Sequence, residues 1–179
     1  MRAYVVTVSS RAAAGVYEDR AGPILVAELS ELGFEVEGPT VVPDGEPVAE
    51  ALRAAIAQAY DVVITTGGTG LNPTDKTPDM TRPLLDMEVP GLAEAVRAYG
   101  VAQGVPAAAL SRGLAGVAGR TLVVNLPGST GGARDGMAVL APVLQHAVEQ
   151  IHGGDHPRAG SPGDGHGSVT DGSVTGGAH

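Results

Sequence analysis

A glycine-rich stretch is the part of this chain whose residue types are best suited to phosphate chemistry. Gly67, Gly68 and Gly70 surround Thr69, and Thr66 precedes them. Backbone of this composition can turn sharply and bring its amides close to an oxyanion, while the threonines add hydroxyl donors. The stretch is neither a Walker A loop nor a GxGxxG dinucleotide fingerprint. Taken alone, it is explained equally well as a tight strand-to-helix turn that needs glycine.

Asp75 and Lys76 follow the glycines closely and favour phosphoryl chemistry. A carboxylate can hold Mg²⁺ against triphosphate oxygens, and a lysine can neutralise charge that develops on a leaving group. Lys76 is also the sole lysine of the sequence. The structural alternative makes Asp75 a turn residue or a helix cap, although Asp79 suits the capping role better because it follows Thr77-Pro78.

Two polar segments nearer the amino terminus follow predicted strands. Ser9, Ser10 and Arg11 come directly after a short apolar run. Asp44 stands between Pro43 and a glycine, which is a plausible turn, so a structural role competes with a functional one. The case for a functional Asp44 rests on its place at the end of a strand.

Pro127, Gly128 and Ser129 precede a long predicted helix. The first turn of a helix has free amides, and a phosphate bound there gains hydrogen bonds and a dipole contribution of roughly 0.3–1 kcal/mol. The alternative is a simple capping loop with Ser129 or Thr130 as the cap, and both interpretations can hold together.

Ser111 and Arg112 form a fifth candidate segment. An arginine can bind a phosphate through two parallel N–H donors. A surface salt bridge is the ordinary alternative for such an arginine.

The elements that must position these residues alternate between strand and helix. We predict strands over residues 4–8, 34–42, 61–66 and 120–126, and helices over residues 22–32, 46–59, 91–100, 106–111 and 130–151. This alternation predicts a three-layer α/β/α fold with a mainly parallel sheet. Ligands of such sheets bind outside the carboxyl ends of the strands, where four of the five polar segments fall.

Composition limits the class of protein. A chain of 179 residues with 43% hydrophobic residues suits one packed domain. With no cysteine and no apolar run of about 18 residues, we expect a cytoplasmic protein without a membrane span. A net charge of −9 argues against nucleic acid or an anionic membrane as a partner.

The apolar content collapses beyond residue 153, where glycine, serine, aspartate and histidine dominate. We predict a domain over residues 1–152 and a disordered tail over residues 153–179, because the tail is too polar to offset its ordering entropy. His156, His166 and His179 lack the defined spacing of a structural metal site.

Together the segments resemble the MogA/MoaB-type family of molybdenum cofactor biosynthesis, which includes the adenylyltransferase domains of gephyrin and its plant counterpart. The matching stretches lie in the family's order: SSR at 9–11, GVYED at 15–19, VPD at 42–44, TTGGTG at 65–70, DKTPD at 75–79, LSR at 110–112 and NLPGS at 125–129. They cover about residues 3 to 151. The resemblance implies a single domain of the molybdopterin-binding type.

The resemblance also implies an activity, the Mg²⁺-dependent transfer of AMP from ATP to the terminal phosphate of molybdopterin, with release of pyrophosphate. Asp44 and Asp75 then become the catalytic, metal-positioning carboxylates. The implied binders of molybdopterin and phosphate are Thr66, Gly67, Gly68, Thr69, Gly70, Ser111, Arg112, Pro127, Gly128 and Ser129. The implied nucleotide binders are Ser9, Ser10, Arg11 and Lys76. Many relatives carry aspartate in place of Ser10, and often another residue in place of Lys76.

For partners, the resemblance implies a homotrimer and makes the molybdate-insertion enzyme a candidate. The first alternative function is a paralogue that binds molybdopterin without adenylylating it. The presence of both Asp44 and Asp75 favours the enzyme. The second is a nucleotide pyrophosphatase related to competence-damage proteins, which ranks lower because those chains are usually longer. The missing GxGxxG disfavours a dehydrogenase.

The composition of the tail predicts that it is dispensable. Removing residues 154–179 is expected to leave the melting temperature and the activity nearly unchanged, because the tail offers little apolar surface for docking. Thermal unfolding of the full and shortened chains measures this. A fall of many degrees in the shortened chain would show that the tail docks onto the domain.

Overall fold

The computed structural model describes residues 1–154. Most of the predicted tail, with the three histidines considered as metal ligands, lies outside the described residues. The strands are β1 (Arg2–Val8), β2 (Glu35–Val42), β3 (Val62–Thr66), β4 (Met87–Glu88), β5 (Ala115–Ala118) and β6 (Thr121–Leu126). The helices are α1 (Ser10–Ala13), α2 (Ala21–Glu31), α3 (Glu46–Ala57), α4 (Thr77–Thr81), α5 (Pro90–Ala102), α6 (Thr130–Leu140) and α7 (Leu144–Ile151). Two 3-10 turns cover Arg82–Leu84 and Pro106–Leu110.

The strands form one sheet in the order β2-β1-β3-β6-β5-β4. β2, β1, β3 and β6 are parallel, whereas β5 runs antiparallel to β6 and β4 antiparallel to β5. The predicted α/β fold with a mainly parallel sheet is therefore confirmed. Thr7 pairs with Thr66, and Thr66 pairs with Leu126, so the three central strands end level with one another. The loops that follow these strands must lie side by side.

Apolar residues on both faces of the sheet explain its burial. Successive side chains of a strand point to opposite faces. Val5 and Ile64 pack into the cluster that includes residues of α2, α6 and α7, whereas Val6 and Val63 pack into the cluster beneath α3. Every residue of β3 and β6 is buried, as expected of strands covered by helices on both sides.

The prediction of one long helix over residues 130–151 is wrong. The structure has two helices there, α6 and α7, with Pro142 between them. Proline has no backbone N–H, and its ring clashes with the carbonyl four residues earlier, so the helix ends before it. The residues predicted to face the core are nevertheless buried: Met137, Leu140, Leu144 and Val148.

Three short elements were not predicted, α1, β4 and β5, whereas α4 begins at Thr77, where the sequence Thr77-Pro78-Asp79 indicated a helix start. β4 has two residues, and β5 has the sequence Ala-Gly-Val-Ala, which has little intrinsic strand propensity. Gly116 of β5 suits its place, because a Cβ there would lie 2.5 Å from the carbonyl oxygen of Met87 on β4. The antiparallel edge thus depends on close packing that hydrophobic periodicity does not reveal.

A charged and aromatic cluster closes the amino-terminal edge of the sheet, opposite the loops of interest. The Arg2 guanidinium lies 4.1 Å from the centre of the Tyr60 ring and 2.9 Å from Glu37. Burial raises the pKa of the Tyr60 hydroxyl, and hydrogen bonds with Tyr60 and Arg2 lower the pKa of Glu37. Burial and contacts within this cluster therefore explain both pKa shifts. Within residues 1–154, no helix has the length and apolarity needed to cross a membrane.

Candidate functional site

A cavity of about 520 Å³ opens at the carboxyl ends of β1, β3 and β6. Its floor comes from the loops after these three strands. Its remaining wall comes from α5, from the 3-10 turn Pro106–Leu110 and from the start of α6. This is the location expected for a ligand site on an open parallel sheet.

The cavity brings together most of the residues predicted to form a site. Those that line it are Ser9, Thr66, Gly67, Gly68, Thr69, Gly70, Asp75, Ser111, Pro127, Gly128 and Ser129. The other predicted site residues lie nearby without lining it: Ser10, Arg11, Asp44, Lys76 and Arg112. Lys76 is exposed before α4, and the Arg11 guanidinium lies 5.9 Å from the centre of the Tyr17 ring. The roles of these residues in binding or catalysis stay predictions.

The backbone of the glycine loop (residues 67–70) packs directly against the end of β1 and against the loop that contains Gly128. Gly67 has φ +104, and a Cβ on it would overlap the carbonyl oxygen of Val8 at the end of β1. A Cβ on Gly128 would lie 3.0 Å from the Cα of Gly67. The Gly67 amide also donates to the Leu126 carbonyl of β6 at 3.0 Å. The three loops can approach this closely because glycine stands at the contacts.

A buried polar network fastens the glycine loop from below. The Asn125 amide donates to Thr65 Oγ1 at 3.0 Å and to Thr81 Oγ1 at 3.1 Å. Thr81 Oγ1 donates to the Thr77 carbonyl at 2.7 Å, and Thr77 Oγ1 donates to the Gly67 carbonyl at 2.9 Å. All four polar side chains are buried and hydrogen-bonded. The network therefore ties β3, β6 and α4 to one conformation of the loop.

Arg112 braces the same loop from outside the cavity. Its guanidinium donates to the Gly70 carbonyl at 3.0 Å, to the Asp75 carbonyl at 2.7 Å and to the Asp79 carboxylate at 3.1 Å. Its backbone amide donates to the Thr69 carbonyl at 2.7 Å. In this structure Arg112 holds the loop in shape, whereas the sequence suggested that it would bind the ligand's phosphate.

Asp44 approaches the glycine loop with one carboxylate oxygen engaged and the other unpaired. Oδ2 accepts a hydrogen bond from Ser10 Oγ at 2.8 Å, and Ser10 Oγ accepts one from the Asp44 amide at 3.1 Å. Oδ1 is buried without a hydrogen-bond partner in the described part of the chain. It lies 2.7 Å from the position that a Cβ of Gly68 would take. A buried anionic oxygen without a donor is a candidate ligand for a cation.

Asp75 reaches the loop from the cavity side. Its Oδ2 lies 2.6 Å from the position that a Cβ of Gly70 would take. The structure does not support a helix-capping role for Asp75, because α4 begins after Lys76 and has no side-chain cap. Across residues 1–154, no group of three or more His, Cys, Asp or Glu side chains could hold a metal ion. A metal ion here would therefore have at most two such side chains of the described residues as ligands.

Among the residues 1–154 that line the cavity, there is no lysine and no arginine. An anion there would be bound by backbone amides, hydroxyls and the amino end of α6. Ser129 is the N-cap of α6 and accepts a hydrogen bond from the Gly132 amide at 3.0 Å. The capping role proposed for Ser129 is therefore confirmed. Capping and ligand binding are compatible, because the first turn of a helix has several free N–H groups.

Sequence reasoning missed two carboxylates that line the cavity. Asp19 lies two residues before α2: its Oδ1 accepts from the Ala21 and Gly22 amides, and its Oδ2 accepts from Thr7 Oγ1 at 2.6 Å. An aspartate just before a predicted helix was a usable signal. Asp135 lies in the interior of α6, where nothing in the sequence distinguishes it from a surface aspartate.

The contact between Gly67 and Val8 predicts a steric requirement at Gly67. Gly67→Ala should lower the free energy of unfolding by about 1–3 kcal/mol beyond the roughly 1–2 kcal/mol cost of a left-handed alanine, because the Val8 carbonyl cannot move aside. Gly119→Ala is the matched control, since Gly119 also has positive φ but open space around its Cβ. Urea unfolding of both variants measures the difference. Equal losses of stability would show that the loops are not sterically coupled.

The comparisons with known proteins agree with this geometry. A family model described as "Probable molybdopterin binding domain" matches residues 4–146. The chain is 38% identical over 157 residues to the molybdenum cofactor biosynthesis bifunctional protein of Chlorobaculum tepidum, a match that covers 87% of this chain and 50% of that protein. The chain spans about half the length of the first curated relatives it matches.

Two other matches span nearly the whole of the matched protein. The chain is 38% identical over 153 residues to the molybdopterin adenylyltransferase of Pyrococcus furiosus, covering 81% of this chain and 90% of that one. It superposes on the molybdopterin biosynthesis Mog protein from Mycobacterium ulcerans with a TM-score of 0.80 and 52% identity, covering 84% of this chain and 98% of that one. The chain belongs to the family of molybdopterin-binding domains.

Proposed function

We propose that this chain acts in molybdenum cofactor biosynthesis as a molybdopterin adenylyltransferase. A terminal phosphate oxygen of molybdopterin attacks the α-phosphorus of ATP. The bond between the α-phosphorus and the bridging oxygen to the β-phosphorus breaks, and pyrophosphate leaves with that electron pair. The products are adenylylated molybdopterin and pyrophosphate.

The observation that carries the proposal is the convergence of three amide-rich loops on one cavity at the ends of β1, β3 and β6. The reaction joins two polyanions, and the attacking phosphate is already a nucleophile, so no strong base is required. What the protein must supply is alignment of the phosphates and compensation of their charge. Rigid backbone donors meet that need without reorganising during the reaction.

Separate parts of the cavity suit the two substrates. The 127–129 loop and the first turn of α6 offer amides to the phosphate of molybdopterin. Ser9 lines the cavity at the end of β1, on the other side of the glycine loop, and suits the nucleotide. The glycine loop between them would contact both phosphates.

Asp44 and Asp75 fit a Mg²⁺ ion. Asp44 supplies a buried oxygen without a hydrogen-bond donor in residues 1–154, and Asp75 brings a second carboxylate to the same loop. Two carboxylates suffice, because Mg²⁺ in proteins is commonly held by one or two of them together with substrate phosphates and water. When bound, Mg²⁺ supplies positive charge that offsets the charge of the ATP phosphates. Ser10 orients the Asp44 carboxylate for this role.

A binding protein without transferase activity is the second candidate. It is favoured by the position of Asp44, which does not line the cavity, and by the absence of cations from the lining. One of the matched relatives is named molybdenum cofactor biosynthesis protein B, from Staphylococcus carnosus, rather than adenylyltransferase.

The deciding experiment incubates the chain with molybdopterin, Mg²⁺ and ATP. Formation of adenylylated molybdopterin together with pyrophosphate supports the transferase. Binding of molybdopterin with no product supports the second candidate. Hydrolysis of nucleotide at the same rate without molybdopterin would instead indicate a nucleotide pyrophosphatase.

Asp75→Asn should keep the fold and abolish most of the transfer. The charge needed to hold Mg²⁺ is lost, and removal of one preorganised electrostatic group typically costs ~10²–10³ in turnover, or roughly 2.7–4 kcal/mol. Affinity for molybdopterin should fall little or rise, because an anion near its phosphate is removed. Single-turnover AMP transfer and thermal unfolding, measured on one preparation, test this.

Glu50→Gln on the exposed side of α3 is the control for loss of one negative charge. Near-normal turnover in a well-folded Asp75→Asn protein would remove Asp75 from the reaction and favour the binding protein.

The chain should form trimers, as the resemblance implies. Large apolar side chains are exposed at and near the rim of the cavity, with exposed fractions of 43% for Val101, 49% for Val105 and 56% for Leu110, and the last two also line the cavity. An apolar patch of this kind marks an interaction surface, and closed cyclic symmetry is the default for identical subunits. Light scattering should give about three chains per particle. A clean monomer at micromolar concentration would contradict the trimer.

A further inference from the structure

The cavity extends beyond the loops that can bind phosphate. Its far wall is formed by apolar residues of α5 and of the segment that follows it, among them Val96, Val105, Ala108 and Leu110. An apolar wall does not stabilise a charged phosphate group, whereas it can pack against the face of a flat heterocycle. The wall therefore belongs to the part of the cavity that would hold a ring.

Asp135 of α6 is the carboxylate at this apolar end. Its Oδ2 lies 3.9 Å from the position that a Cβ of Gly100 would take, and that position is 2.6 Å from the Cβ of Ala108. Asp135 is half-buried and has no hydrogen bond or ion pair in the described part of the chain. Asp19, by contrast, has both carboxylate oxygens engaged by α2 and Thr7. The hydrogen bonds of Asp19 therefore serve the fold, whereas Asp135 makes no contact of this kind.

An unpaired carboxylate is unfavourable in a cavity that binds polyanions, because it repels them and lacks compensation of its own. A ligand can remove that penalty by presenting hydrogen-bond donors to it. An ionised carboxylate only accepts hydrogen bonds, so the matching edge of the ligand must carry donors.

The two heterocycles of the proposed reaction differ in this respect. The aminopyrimidinone edge of a pterin presents its 2-amino group and the adjacent ring N–H, which are two parallel donors that match both oxygens of a carboxylate. Adenine presents one amino donor flanked by ring acceptors on either side. A carboxylate would attract the pterin edge and be repelled by the acceptors of adenine.

Helix α6 carries both ends of such a site on one face. Gly131, Gly132 and Asp135 all line the cavity, at the three- and four-residue spacing of one helical face. Asp135 lies six residues beyond Ser129, or about 9 Å along the helix at 1.5 Å per residue. A ligand that joins a phosphate to a ring can therefore place the phosphate at the amino end of α6 and the ring beside Asp135.

We propose that Asp135 is a specificity-determining residue that recognises the 2-amino and ring N–H donors of the pterin. This inference rests on the proposed function for its ligand, but it does not require adenylyl transfer. It assigns the apolar wall to the pterin ring and excludes adenine from that end of the cavity.

The test measures the binding of two ligands to the wild type and to two variants in the absence of ATP. The ligands are a 6-substituted pterin phosphate and the matching lumazine phosphate, in which an oxygen replaces the 2-amino group. The proteins are the wild type, Asp135→Asn and the control Glu94→Gln, whose side chain is exposed on α5 outside the cavity. Titration calorimetry gives the dissociation constants of both ligands for each of the three proteins, and the affinity of each protein for ATP is measured separately.

We expect the wild type and Glu94→Gln to prefer the pterin by about 10- to 100-fold, the value of a charge-assisted pair of hydrogen bonds. In Asp135→Asn the preference for the pterin should be at least ten-fold smaller than in the wild type, whereas the melting temperature and the affinity for ATP should be unchanged. An unchanged preference in Asp135→Asn would overturn the proposal. A loss of ATP affinity instead would also overturn it, because Asp135 would then contact the nucleotide base.

The outcome for the proposed function can be distinguished. If the wild type discriminates between the two ligands through Asp135 but forms no adenylylated product, the transferase fails and the inference stands. If the wild type transfers AMP normally and Asp135→Asn discriminates like the wild type, the inference fails and the transferase stands. If the wild type binds neither ligand, the inference fails, and the incubation with molybdopterin, Mg²⁺ and ATP still decides the transferase.

Discussion

The close approach of Gly67 to the carbonyl of Val8 and to Gly128 is the contact on which the site depends. Three strands that end level bring three loops to the same edge, and side chains at the contacts would force the loops apart. Glycine allows the backbones to touch, and the Gly67 amide donates across the contact to the Leu126 carbonyl. The buried network from Asn125 to Thr77 and the brace from Arg112 fix this arrangement from two sides. The shape of the cavity at this end therefore depends on residues that pack behind the glycine loop.

A net charge of −9 does not by itself oppose the proposed polyanionic ligands. Salt screens long-range repulsion between exposed charges over about 8 Å under physiological conditions. Short-range donors at fixed positions would therefore decide whether a phosphate binds, and the first turn of α6 offers such donors. Two carboxylates at the same loop would be a liability without a cation. Their presence is understandable if a divalent ion accompanies the nucleotide.

The sequence was sufficient for the general location of the site and insufficient for its details. Apolar runs ending in Gly- or Ser-rich segments identified the parallel strands and the loops at their carboxyl ends, because period and position carry that information. The break at Pro142 could have been read from the sequence, and was not. Whether Asp44 or Arg112 faces the cavity depends on side-chain directions across a loop of special backbone conformation, which no residue spacing encodes. Asp135 was beyond reach because its significance comes from α5 and the 3-10 turn Pro106–Leu110, which fold over it from elsewhere in the chain.

The charged side chains near the cavity fall into two groups, those that are paired within the fold and those that are not. Arg112 donates to the Gly70 and Asp75 carbonyls and to Asp79 within the fold, and its binding to a ligand stays a prediction. Asp19 is likewise satisfied within the fold. Among the carboxylates at or beside the cavity within residues 1–154, those without a hydrogen-bond or ion-pair partner are Asp75, Asp135 at the apolar end and the Asp44 oxygen next to Gly68. Each calls for positive or donor character that the protein does not provide: a cation at the phosphate end, and N–H groups at the ring end. A phosphorylated pterin bound together with a metal nucleotide supplies both, and a simple phosphate ester supplies neither.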